Sequence, residues 1–341
     1  MHESLPTELV ILAIEHAVDL FLVEDRETLI HLAQTSKDVY AVIAPLIYYS
    51  ISLCEYGKGF TKFIELSSSA TPSLAERVFQ YARELHTNID DPTSLPCMFL
   101  KNIEVMHVSE EIARAITTIN DDMAGELAAQ SPRLAIPPSP LRRLSIWNNT
   151  HTCARQLSLR TRNGLTHFLA CAPDDENFSE AKFDAAPRQW ILDILELLPN
   201  LTHLAFELYA VNYGSGRRVV ARYDPNLLKD SLLAALEYRR TDGSQLQVIV
   251  VRVVGQFCII WPKLLDMMQQ VEAEDRTQRV WAWNDDRLTN GENWRGLVLK
   301  DGHVRRSVWT EARAIRSLLV PSLETNDDEN DMPNQHADSA A

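Results

Sequence analysis

Residues 141–149 read Leu141-Arg142-Arg143-Leu144-Ser145-Ile146-Trp147-Asn148-Asn149, and this stretch decides how the second half of the chain is read. Side chains alternate across a strand, so Leu144 and Ile146 share one face while Arg143 and Ser145 share the other. Asn149 then stands where a turn would leave the strand. Comparable apolar triplets start at Leu100, Leu165, Leu201 and Leu246; the first sets Leu100, Ile103 and Val105, the last Leu246, Ile249 and Val251. The starts are separated by 41, 24, 36 and 45 residues. With 45% apolar residues, three such positions coincide by chance roughly thirty times in a chain of this length. The Asn after the central triplet and the helices between triplets lift the pattern above that background.

Those helices are legible. Residues 187–198 place Trp190, Ile191, Ile194 and Leu195 at helical spacing and stop at Pro199. Asp224-Pro225 opens another through Leu228, Leu232, Ala235 and Leu236, and a third spans 262–271 after a β-branched strand at 246–254. Strands alternating with helices predict an α/β fold with a largely parallel sheet and right-handed crossovers. L-x-x-L-x-L followed by Asn is the strand of a leucine-rich repeat, whose usual period is about 20–29 residues. Two architectures fit: an irregular leucine-rich-repeat-like solenoid with parallel strands and flanking helices, or an ordinary open α/β sheet. Residues 53–130 read as mostly helical, with one stripe of Leu74, Val78, Phe79, Ala82 and Leu85 and another of Ile112, Ala115, Ile116 and Ile119. Four prolines in 131–140 suggest an internal boundary in a domain running from 51 to 323.

The first fifty residues differ in character. Leu9 to Ile14 is an unbroken apolar run, and the helix it predicts is apolar on nearly every side, so it needs a second covering surface. A second helix is expected from Asp25, running through Leu29, Leu32, Ala33 and Tyr40 and ending before Pro45. Leu5-Pro6-Thr7-Glu8-Leu9 resembles the opening of the F-box, a helical motif that binds the Skp1 adaptor of ubiquitin ligases. Leu29 to Tyr40 resembles its second helix, with Tyr40 where many F-boxes carry Trp. The block is similar to the F-box-like N-termini of large fungal families whose C-terminal halves are divergent leucine-rich repeats. The resemblance covers about residues 4–50. It implies adaptor contacts at Leu5, Pro6, Glu8, Leu9, Leu12, Leu29, Leu32 and Tyr40. It also implies a Skp1-like adaptor and, through it, a cullin as partners, in the cytoplasm or nucleus. The repeat half would then select an unknown protein target. The alternative is a stand-alone repeat scaffold whose F-box-like start has become structural.

Composition narrows the remainder. The net charge of −14 disfavours nucleic acid and anionic membranes as partners. Six of the acids lie in 324–341 without a Lys or Arg, so that end reads as a disordered acidic tail and the rest of the chain carries −8. Five scattered cysteines suggest a reducing compartment, and no apolar stretch is long enough to span a bilayer. Glycine, at 11 residues, is scarce for a phosphate-cradling fold. Cys153, His167 and Cys171, with His151, are at best a faint zinc spacing. Gly214-Ser215-Gly216-Arg217-Arg218 reads as a loop, and the basic residues around Trp309 as a solvated helix face. Trp281-Ala282-Trp283 places two rings on one strand face, most simply for packing. No catalytic motif, metal or cofactor is expected, and the chain reads as non-catalytic. Residues between the inward-pointing leucines should face a partner, which nominates Arg142, Arg143 and Ser145 on one strand and Thr202, His203 and Ala205 on another. The two arginines suit an acidic or phosphorylated target.

Overall fold

The computed structural model describes residues 26–53, 79–89, 91–95, 100–130, 139–146, 154–170, 187–210, 225–238, 245–255, 261–285 and 307–319, with a few isolated positions besides. Nine strands form one sheet in strictly sequential order. They are β1 (Ser50–Leu53), β2 (Glu84–Thr87), β3 (Val105–Val108), β4 (Arg143–Ile146), β5 (His167–Ala170), β6 (His203–Ala210), β7 (Val248–Gly255), β8 (Val280–Asp285) and β9 (Arg313–Ala314). All neighbours are parallel except β8 and β9, which are antiparallel.

The register makes the apolar triplets a ladder. Leu85, Met106, Leu144, Phe168, Leu204, Ile249 and Val280 stand opposite one another from β2 to β8. All of them are buried. Full burial of such a side chain contributes about 1.5–3 kcal/mol each, so a strand slipped by one residue would lose its whole contribution to the ladder. In chain order the helices are α1 (Arg26–Ala33), α2 (Lys37–Ile47), α3 (Glu110–Gln130), the short α4 (Leu159–Gly164), α5 (Pro187–Leu197), α6 (Pro225–Glu237) and α7 (Trp261–Asp275). Ile116 of α3, Ile194 of α5, Leu232 of α6 and Met268 of α7 join the ladder residues in one core. The opposite face belongs to a separate cluster. There Leu169, Ala205 and Val250 meet Val308 and Ala312, at the two ends of the segment holding the short helix α8 (Val308–Glu311). Sequential order with crossovers of one hand places the helices on one side. A doubly wound sheet reverses its strand order, and this one does not.

Glycine is required at two turns. A Cβ on Gly164, the last residue of α4, would lie 3.1 Å from the Leu141 carbonyl oxygen, so α4 closes onto the approach to β4 without a side chain. Gly243 has φ +80°, the left-handed region that favours glycine.

Several expectations change. Within the stretch read as mostly helical, Leu85 lies on β2 and Val105 on β3, strands of four residues too short to show alternation, while most of 54–78 lies outside the described residues. The β3 frame is Ile103, Met106 and Val108, because Val105 pairs with Arg143 on the opposite face from Met106. Pairing of β3 with β4 carries the sheet across 131–140. The helix expected from Asp25 to just before Pro45 is two helices, α1 and α2, divided where the Ser36 side chain accepts from Val39 N–H at 3.1 Å. Pro45 lies inside α2, which ends two residues later. Residues 1–12 and the tail 324–341 lie outside the described residues. Among the described residues no helix is long and apolar enough to cross a membrane.

Candidate functional site

Two places hold the residues nominated for binding. The first is the α1–α2 hairpin. Leu29, Ala33, Ile43 and Ile47 form a small core of their own, distinct from the sheet's core, with Leu32 and Val39 packed at its margin. Leu29 is buried, Leu32 is half-buried, and Tyr40 is 39% exposed beside Ile30 at 40%. Leu5, Pro6, Glu8, Leu9 and Leu12 lie outside the described residues.

The second is the face of the sheet opposite the long helices, partly covered by the α8 segment, at the beginnings of the central strands. Arg143, His167 and His203 stand opposite one another on β4, β5 and β6. The imidazoles of His167 and His203 stack with centroids 4.1 Å apart. The Trp309 ring meets both edge-on, at 5.0 and 5.8 Å. A second pair, His86 and His107 on β2 and β3, stacks at 4.5 Å.

The two central histidines share one backbone-anchored arrangement. Thr166 Oγ1 lies 3.2 Å from the Arg142 carbonyl oxygen and 2.9 Å from His167 Nδ1. Thr202 Oγ1 lies 3.1 Å from the Thr166 carbonyl oxygen and 2.8 Å from His203 Nδ1. The Arg142 carbonyl also accepts from the backbone N–H groups of Thr166 and His167, and the Thr166 carbonyl from those of Thr202 and His203. Which partner, carbonyl or Nδ1, receives each hydroxyl hydrogen follows the tautomer of the ring. Burial, then the neighbouring His203 and the Arg143 charge, pushes His167 down to about 3. Burial and Arg143 also lower His203, while burial, His86, Arg252 and Arg143 hold His107 well below the ordinary histidine value. These rings are neutral at neutral pH.

Further along the same face, Arg252 on β7 is held between Glu207 (3.0 Å) and Asp285 (2.6 Å). Its guanidinium lies 4.6 Å from the centre of the Trp283 ring. All three charged groups are almost completely buried. This cluster ties β6, β7 and β8 together on the side away from the helices.

Arg142 and Arg143 are both exposed, but they differ in use. The Arg142 side chain donates to the Gly164 carbonyl at 3.1 Å, whereas the Arg143 side chain makes no hydrogen bond or ion pair among the described residues, and its backbone N–H donates to the Glu104 carbonyl. Thr202 and His203 are half-buried at the row just described. The expected exposure of Ser145 and Ala205 is overturned: Ser145 is 4% exposed and Ala205 fully buried. The reason for Ala205 is the covering segment that ends in Val308 and Ala312. Of the residues nominated on this face, those that reach the surface are therefore Arg143 and His203 of its first row.

His167, Trp309 and the Glu207–Arg252–Asp285 cluster were not among the residues nominated for binding. The repeated tripeptide Leu-Thr-His at 165–167 and 201–203 was a visible signal for the stack. Arg252, a charge between valines in a strand, was the signal for the cluster. Among the described residues no group of three or more His, Cys, Asp or Glu is arranged to hold a metal ion. Cys153, Cys171 and His151 of the faint zinc spacing, and the 214–218 loop, lie outside the described residues. No family model, curated protein or solved structure matches this chain.

Proposed function

We propose that this protein is a non-catalytic recognition subunit of a Skp1–cullin–F-box ubiquitin ligase, and that its sheet is a divergent leucine-rich-repeat solenoid. The observation that carries the first half is the α1–α2 hairpin. It has a core of its own and leaves Ile30 and Tyr40 exposed, as a docking element does. Resemblance of residues 29–40 to the second F-box helix supplies the partner's identity, a Skp1-like adaptor that brings a cullin. The solenoid reading is supported by strictly sequential parallel strands whose L-x-x-L-x-L positions lie in one register with helices on one side.

In this role the protein changes no covalent bond. It holds a target near a ubiquitin-charged enzyme and so raises the effective concentration of the reacting lysine. The adaptor docks at one end of the chain through α1 and α2, and the target docks on the first row of the face opposite the long helices. Affinity purification from the native host tests this reading. Recovery of a Skp1-like adaptor together with a cullin is expected; recovery of neither returns the chain to a stand-alone interaction scaffold.

A further inference from the structure

A cavity of about 400 Å³ opens between α4 and α5, toward the lower end of the range of about 300–1,000 Å³ in which ligand pockets fall. Leu159 and Leu197 are part of its apolar lining. Leu159 is 66% exposed, the most exposed large apolar side chain among the described residues. Arg155, Arg162, Asp193 and Glu196 supply the charges. Two of these are already matched, because Asp193 accepts from Arg155 and from Gln189, each at 2.8 Å. Arg162 is not matched. Among the described residues it has no ion pair, and its enclosed Nε meets no hydrogen-bond acceptor.

One side chain connects this cavity to the first row. Arg142, next to Arg143 in sequence, donates to the Gly164 carbonyl at 3.1 Å, two residues beyond Arg162. Arg142, Arg143 and Arg162 thus stand at the entries to β4 and β5 with no ion pair among the described residues. Glu104, whose carbonyl accepts from the backbone N–H groups of Arg142 and Arg143, has its carboxylate 3.4 Å from Arg83. On a chain of net charge −14, three unmatched arginines in one place are a local exception. Their planar forks of N–H donors suit carboxylates.

We propose that the α4–α5 cavity seats an apolar side chain from an acidic segment of the target protein. The carboxylates flanking that side chain pair with Arg162 and, around the strand entries, with Arg142 and Arg143. The apolar side chain packs on Leu159 and Leu197. Glu196, exposed on the α5 wall, repels carboxylates there, so acids are read on the α4 side. The assignment rests on the recognition role proposed above and extends the target surface beyond the first row.

The test uses the full chain and the blocked pentapeptide Glu-Glu-Leu-Glu-Glu, followed through the Leu159 methyl and Arg162 Nε–H resonances. Pentapeptides with Lys in place of Glu, or with Ser in place of Leu, are the comparison probes. The acidic leucine peptide should shift both resonances and bind at least tenfold more tightly than either comparison peptide. Its affinity should fall as salt is raised, since exposed ion pairs are screened. Arg162→Leu and, at an exposed position, Leu159→Ala should each weaken it at least fivefold, with folding verified by circular dichroism. Glu196→Gln should tighten it about twofold, an effect that a loss of folding cannot imitate. Equal binding of the lysine or serine peptide, no binding of the acidic leucine peptide, or an unchanged affinity in Arg162→Leu overturns the proposal. Shifts confined to other residues overturn it as well. Adaptor binding at α1 and α2 does not enter this measurement, so either reading can fail alone.

Discussion

The imidazoles of His167 and His203 stand on adjacent strands with centroids 4.1 Å apart and planes 8° from parallel. Two rings so placed cannot both be charged, and Arg143 in the same row discourages charging of either. The folded-state pKa is depressed, so below about pH 6.5 the unfolded chain binds protons that the folded chain refuses. The contribution is complete above pH 6.5 and is lost as pH falls from there toward about 3, the folded value for His167. The ring resonances of His167 should stay flat between pH 8 and 5. An inflection near 6.5 would contradict the described stack. In denaturant titrations, His167→Gln should flatten the decline of stability between pH 6.5 and 5.

Arg252 closes a buried charge cluster. Arg252→Met removes the guanidinium between the buried carboxylates of Glu207 and Asp285, and breaking a buried ion pair in this way typically costs about 3–5 kcal/mol. Adding Glu207→Gln should recover part of that loss, since the two sites share one network. Urea unfolding measures both, and a loss below about 1 kcal/mol for Arg252→Met would show that the cluster is not closed as described.

Two glycines make a matched pair. Gly164→Ala drives a Cβ to 3.1 Å from the Leu141 carbonyl oxygen, and overpacking of this kind costs about 1–3 kcal/mol. Gly125→Ala in α3 meets nothing within 4 Å, and a helical Gly→Ala change stabilises by about 0.5–1 kcal/mol. Thermal denaturation of the two variants should move in opposite directions. Movement in the same direction contradicts the close approach of α4 to the β4 entry.

The ladder should dominate stability. Phe168→Ala empties a fully buried site on β5 and is expected to cost about 3–5 kcal/mol. Leu159→Ala, at a side chain 66% exposed, should change stability by less than about 0.5 kcal/mol. Chemical denaturation distinguishes the two directly.

Much of this fold is written in the local pattern. The β4, β5, β6 and β7 triplets at Leu141, Leu165, Leu201 and Leu246 are strands in the frame their spacing implies, and α5, α6 and α7 lie where helical periodicity puts them. The strands β1 and β2 were illegible because four residues are too few to show a period, and Leu85 fits a helical stripe with Val78 and Ala82 equally well. Leu100 misled the β3 frame because it is itself buried in the core, although Ile103 begins the triplet. The site was half legible. Alternation correctly put Arg143 and His203 on the face away from the leucines, but only long-range packing could reveal that the segment around Val308 closes over Ala205.

Calorimetric titration of a purified Skp1-like adaptor into the full chain tests the central claim most directly. Saturable one-to-one binding is expected. Ile30→Asp combined with Tyr40→Asp, at the two exposed positions of the hairpin, should weaken it at least tenfold, about 1.4 kcal/mol. No binding by the unaltered chain, or equal binding by the double variant, would contradict docking through α1 and α2.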